Sequence, residues 1–116
     1  MSNTKLVKKI TTLMLEKKAI DIKLIKVDKL TSLTDYFINC SSESEPQTKA
    51  IKNHIIDTLT KEEKIKPLHI EGDQNLQWIL IDYIDIVINI FNKKEREYYD
   101  IERLWADAKI KEIKEK

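Results

Sequence analysis

The sequence predicts a single α/β domain, a mixed β-sheet covered by helices in the order α-β-β-α-β-β-β-α. Three observations carry this. Apolar residues recur at helical spacing in some segments and alternate in others. The most apolar run, "WILIDYIDIVINIF" from Trp78 to Phe91, is longer than an ordinary strand and is broken by Asp82 and Asp85. The chain has 116 residues, 41% apolar and 35% charged, which suits one soluble core.

Each element follows from local chemistry. Leu6, Ile10, Leu13 and Met14 fall at helical spacing, so a helix runs from about residue 3 to 18 with Ser2 or Asn3 as its cap. In "AIDIKLIKV", Ile22 and Leu24 alternate with lysines, as in a half-buried strand. "DKLTSLTD" is turn-like and "YFINC" is a second strand. Ser44 and Gln47 have capping-box spacing, and Pro46 is tolerated in a first turn, so a second helix opens there with Ile51, Ile55 and Leu59 as its stripe. "TKEEKIK" is a charged connection. Pro67 starts a short strand, "PLHIE", and Gly72, the only glycine, begins a loop. The long apolar run then divides into strands 77–82 and 85–91. Tight hairpins favour glycine or asparagine at positive φ, and this turn offers Tyr83 and Ile84 instead, so a wider or strained turn is expected. Finally Tyr98, Ile101, Leu104, Trp105 and Ala108 line one face of a last helix, with Tyr99 on an adjoining face. That places the domain at residues 1–108. Residues 109–116, "KIKEIKEK", read as a charged helical extension or tail.

Composition narrows the function. No run reaches the roughly 18 apolar residues of a membrane span, and the N-terminus lacks the features of a secretory signal. One cysteine, Cys40, allows no internal disulfide, which makes a cytoplasmic location the default. The net charge of +1 hides a division: residues 1–70 carry +4, residues 71–108 carry −5, and residues 109–116 carry +2. An acidic third quarter has the wrong sign for gripping phosphates and the right sign for a basic protein partner. A solvated surface with no partner would look the same.

Little in the sequence points to catalysis. His54, His69 and Cys40 sit on different elements, so no metal-ligand cluster is recognisable and no cofactor is expected. A single glycine rules out a glycine-rich phosphate loop. Asp82 and Asp85 either turn the hairpin, bonding nearby backbone N–H groups, or converge on a metal as a carboxylate pair. The second reading would make the chain a nucleotidyl-transfer or phosphoryl-transfer enzyme, but a third carboxylate at a recognisable spacing is missing. An RNA-binding module would need a basic stripe with interleaved aromatics, and here the aromatic-rich half is acidic. Trp78, just after an acidic loop, and Tyr99 suit a protein interface; both also suit a core.

Three stretches together resemble the ribosomal silencing factor family, also called RsfS or Iojap. They are "SLTDYFINCSSES..Q" (32–47), "EGDQNLQWILIDYIDIVINIF" (71–91) and "REYYDIERLWADA" (96–108). Their order and spacing match over roughly residues 4–108. The resemblance implies a nucleotidyltransferase-like fold without the catalytic residues, and no enzymatic activity. It implies binding to the large ribosomal subunit through ribosomal protein L-fourteen. The factor then covers a surface the small subunit needs, and translation falls in starvation. Homodimers are implied for the free state of some members, and no sequence-specific nucleic-acid contact. The family's binding aromatics correspond to Trp78 and Tyr99, and its acidic contact surface to Glu71, Asp82, Asp85 and Asp100. Family members commonly have glycine where this chain has Ser42 and Ile84.

Overall fold

The computed structural model describes residues 3–74, 76–94, 96 and 109–113. Helix α1 (Asn3–Glu16) buries Leu6, Ile10, Leu13 and Met14, the stripe that its spacing predicts, and Val7 beside them. It ends as Lys18 turns left-handed at φ 64 and the Ala19 N–H donates back to the Met14 carbonyl at 3.0 Å. Strand β1 (Ile20–Lys26) begins with a bulge between Ile20 and Lys23, and Asp21 there has φ 49. Strand β2 (Tyr36–Ser42) follows.

Helix α2 (Glu45–Thr58) is capped by Ser44, whose hydroxyl accepts the Gln47 N–H at 3.2 Å. The return half of the expected capping box is displaced by one residue: Gln47 Oε1 accepts from the Glu43 N–H at 2.8 Å. Its amide nitrogen donates to the Lys17 and Lys18 carbonyls at 3.1 and 2.9 Å, tying the end of α1 to the start of α2. The "charged connection" is partly helical. A π-helical turn (Leu59–Glu63) keeps Leu59 fully buried and closes with Lys64 at φ 58.

The remaining strands are β3 (His69–Glu71), β4 (Trp78–Asp82), β5 (Ile86–Asn92) and β6 (Lys109–Ile113). Strand β3 starts two residues after Pro67, although the Leu68 N–H already bonds the Asp82 carbonyl at 2.8 Å. The six strands form one sheet in the order β3-β4-β5-β2-β1-β6. β2 and β5 run parallel, and every other pairing is antiparallel. One face, carrying Ile38, Cys40, Ile79, Ile81, Ile88 and Ile90, packs under α1 and α2. Backbone at Lys93, Lys94 and Arg96 is helical; the expected helix stripe from Tyr98 to Ala108 lies outside the described residues.

The C-terminal expectation needs correction. Lys109–Ile113 is not helical: it pairs antiparallel with β1 over five residues, Ile22 opposite Ile113 and Ile25 opposite Ile110. Ile110 and Ile113 are three apart. That spacing suits one helix stripe, and equally places the two side chains on opposite faces of a strand. The unpaired edge of β1 decides between them, and local sequence cannot see that edge. Ile113 packs against the helix-covered core, while Ile110 faces the other way and is 43% exposed. Three of the strand's five residues are charged, which suits an edge open to water.

The β4–β5 hairpin does turn at Asp82 to Asp85, and tightly. The Asp85 N–H donates to the Tyr83 carbonyl at 3.0 Å with Ile84 at φ 75 between them, a three-residue γ-turn of the rarer hand. Asp82 Oδ1 supports it by accepting the Ile84 N–H at 2.7 Å. A β-branched residue in that conformation costs about 1–3 kcal/mol. Just after β3, Gly72 has φ 80 and abuts the start of β4: a Cβ there would lie 1.9 Å from the Trp78 carbonyl oxygen. Gly72→Ala must therefore displace backbone. We expect it to destabilise the domain by about 3 kcal/mol or more, measured as a shift in urea midpoint at unchanged slope.

Candidate functional site

Alternation along β4 sends Ile79 and Ile81 into the helix-covered core and Trp78, Leu80 and Asp82 to the opposite face. Pairing with β3 sets Glu71 opposite Leu80 and His69 opposite Asp82, on that same face. Three residues singled out from sequence, Glu71, Trp78 and Asp82, are thus brought together by register alone. Glu71 is exposed and carries His69 Nε2 at 2.9 Å. Glu71, Gly72, Trp78 and Leu80 bound a small cleft of about 240 Å³. Asp85 is exposed at the hairpin end. Tyr99 and Asp100 lie outside the described residues.

Trp78 is half-buried and firmly held. Its ring packs on Phe91 with centroids 5.0 Å apart at a 30° tilt. Its Nε1–H donates to Asn89 Oδ1 at 2.9 Å, and Asn89 Nδ2 donates in turn to Asn39 Oδ1 at 2.9 Å. The indole can only donate, so it fixes the orientation of the Asn89 amide, and Asn89 fixes that of Asn39. Both asparagines are buried, and Asn39 Nδ2 is left without a partner among the described residues. Next to them, Arg96 Nη1 reaches Ser41 Oγ at 2.9 Å and the Asp21 carbonyl at 2.5 Å, pinning β1 at its bulge.

Asn39 and Asn89 escaped sequence reasoning, yet a signal was there. "FINC" (37–40) and "VINI" (87–90) each place an asparagine after an isoleucine in an otherwise apolar strand. In the parallel β2–β5 pair these segments lie in register, Ile38 beside Ile88 and Asn39 beside Asn89.

A larger cleft of about 420 Å³ lies between α1 and α2, lined by Lys5, Lys8, Lys9, Glu16, His54 and Glu62 among others. Its charges are largely spent on one another. Lys9 bonds Glu62 and Glu63 at 2.8 and 2.7 Å, which raises its pKa, and His54 bonds Glu16 at 2.8 Å. Among the described residues no group of three His, Cys, Asp or Glu could hold a metal ion. Asp82 and Asp85 are arranged as a turn, one oxygen of Asp82 already engaged with the Ile84 amide. No helix among the described residues is long and apolar enough to cross a membrane. The arrangement offers a surface: an indole held in place, a carboxylate-edged cleft, and apolar neighbours.

Behind this surface, burial pushes the Cys40 thiol up to about 12, against a smaller downward pull from Arg96. Burial also pushes the Tyr83 phenol up to about 12. An unfolded thiol gives up its proton from about pH 9 and an unfolded phenol from about pH 10, whereas the folded groups hold theirs to about 12. Their contribution is therefore complete below pH 9 and is lost as pH rises toward 12. Each group adds a slope of at most about 1.4 kcal/mol per pH unit. Urea melts across that range should show stability falling with pH, and Cys40→Ala with Tyr83→Phe should flatten the fall.

Comparison with known proteins places this geometry. The family model described as "Ribosomal silencing factor during starvation" matches residues 1–116. A Halalkalibacterium halodurans protein named ribosomal silencing factor RsfS is 34% identical over 113 residues, covering 97% of this chain and 96% of that protein. The Bacillus subtilis protein of the same name is 35% identical over 98 residues, covering 84% and 82%. A Chromobacterium violaceum protein solved by X-ray crystallography superposes with a TM-score of 0.87 at 32% identity, covering 91% of this chain and 88% of that one.

Proposed function

The chain belongs to the ribosomal silencing factor family, a family of translation regulators, and from that premise we propose that it binds the large ribosomal subunit through ribosomal protein L-fourteen and so blocks subunit joining. It acts by occupancy, without turnover. The observation that carries this reading is the face built by β3 and β4. There Trp78 is locked by Phe91 and the asparagine pair, with the Glu71 carboxylate across its cleft and Asp82 on the same face at the far end of β4. A rigid aromatic next to negative charge suits an interface with a basic protein. The cleft between Trp78 and Glu71 suits one cationic side chain, which would lie on the indole and pair with the carboxylate. Tyr99 and Asp100 are assigned to the same face by family resemblance.

Purified large and small subunits, mixed with the protein and sedimented, should remain apart with the protein on the large subunit. Trp78→Ala should weaken binding to isolated L-fourteen by about 30-fold. Because it also empties space against Phe91, its melt must be measured alongside. Glu71→Lys is the cleaner variant, since Glu71 is exposed and supports no core. It should bind poorly and melt normally. Full subunit joining in the presence of saturating protein would refute the proposal.

A further inference from the structure

Five large apolar side chains are exposed among the described residues, and four of them gather at one end of the sheet: Leu30, Leu33, Leu68 and Ile84, at 48%, 84%, 68% and 60%. Single exposed leucines are ordinary; a cluster is not. These four come from three different segments, the β1–β2 loop, the lead into β3 and the β4–β5 hairpin. Backbone bonds hold the segments to one another. The Asp35 and Tyr36 N–H groups both donate to the Asp85 carbonyl, at 3.0 and 3.1 Å. Leu68 N–H donates to the Asp82 carbonyl at 2.8 Å, and Val27 N–H to the Asp35 carbonyl at 2.9 Å. Three strand spacings separate β3 from β2, so the cluster spans about 15 Å. It is a preformed platform rather than a set of independent loops.

Ile84 gives the platform a purpose. It sits at φ 75, where a β-branched residue is strained, and most of its side chain meets water. Folding gains nothing there that glycine would not supply with less strain. The carboxylates of Asp35, Asp82 and Asp85 stand on the same turns, with Lys29 and Lys66 flanking in sequence. Asp82 also belongs to the Trp78 face, so the two surfaces are continuous around the hairpin corner. A specific interface buries about 800 Å² per partner. Of Glu71, Trp78, Leu80 and Asp82 only Glu71 is fully exposed and the other three are half-buried, so these four alone offer less than that.

We infer that the docking face continues over the strand ends, and that the basic protein partner which covers Trp78 and Glu71 also seats Ile84 and Leu33 in an apolar hollow. This rests on the docking reading above and adds a second set of anchors to it.

The test uses the full chain with purified large ribosomal subunits, titrating wild type, Ile84→Gly, Leu33→Ser and Glu71→Lys, with a thermal melt of each. Ile84→Gly should raise the melting midpoint yet weaken binding about tenfold, and Leu33→Ser should weaken it similarly at unchanged stability. If both bind like wild type while Glu71→Lys binds poorly, the platform is not part of the interface and this inference is overturned, with the docking reading intact. If Glu71→Lys also binds like wild type, the docking reading falls and takes the inference with it. If Ile84→Gly leaves subunit binding alone but converts a free dimer to monomer by sedimentation, the platform covers a second copy of this chain instead, which also overturns the assignment.

Discussion

The parallel pairing of β2 with β5 is the constraint on which the rest of the domain depends. Seven residues of each strand lie in register, from Tyr36 beside Ile86 to Ser42 beside Asn92. Parallel neighbours cannot be joined by a turn, so the chain between them must cross over. Here it spends that crossover on α2, the π-helical turn and the β3–β4 edge. α2 thereby lands on the isoleucine face. β4 returns antiparallel beside β5 on the side away from β2, where its outer face is free to carry Trp78. Both strands of the central pair have neighbours on each side, so their backbone groups are satisfied within the sheet.

The same register gives the two faces different chemistry. Under the helices, Ile38, Ile88 and Cys40 meet Ile79, Ile81 and Ile90 with no polar group among them. On the other face Asn39 sits beside Asn89. Two buried amides in adjacent strands are a poor choice for stability alone, since each must find partners or bear desolvation. What they provide is direction. The indole N–H sets one amide and that amide sets the next, so the Trp78 ring has one favoured orientation. In the docking proposed above, an anchor ordered in advance would lose less entropy on binding. Among the described residues Asn39 Nδ2 finds no partner, the cost of ending such a one-way chain inside the sheet.

Much of this was legible beforehand, and most of the misses share a cause. Seven elements, α1 through β5, follow from period, caps and breakers, because those signals are local: the Ser44 cap, the apolar stripes, the aspartates at the hairpin. What failed needed knowledge of neighbours. Lys109–Ile113 is a strand because β1 has an open edge, and nothing within "KIKEI" says so. The grouping of Glu71, Trp78 and Asp82 was reachable only through resemblance until the β3–β4 register placed them on one face. The Asn39–Asn89 link joins residues 50 apart in the chain, a distance across which no periodicity speaks. The exposed leucines were invisible for a different reason. Sequence reasoning presumes that large apolar residues lie inside, and it has no means to tell which ones the fold leaves out.

Two positive-φ positions, Gly72 before β4 and Ile84 after it, answer to different constraints. Gly72, just after β3 and packed on the Trp78 carbonyl, has φ 80, and Ile84 in the β4–β5 turn has φ 75. At Gly72 a side chain is impossible, because its Cβ would meet the Trp78 carbonyl; glycine is demanded by space as well as by φ. At Ile84 the side chain points into solvent, so φ is the only objection. A chain selected for stability alone would resolve both sites the same way. This chain uses its single glycine where no alternative exists, and it keeps a β-branched side chain at the position where that choice costs folding energy and presents apolar surface. The hairpin geometry tolerates the strain because Asp82 fixes the Ile84 amide and the Asp85 carbonyl anchors two amides of the neighbouring loop. The aspartates in the most apolar stretch of the sequence therefore do more than turn the chain. They hold a strained residue out in solvent, where the docking proposed above would use it.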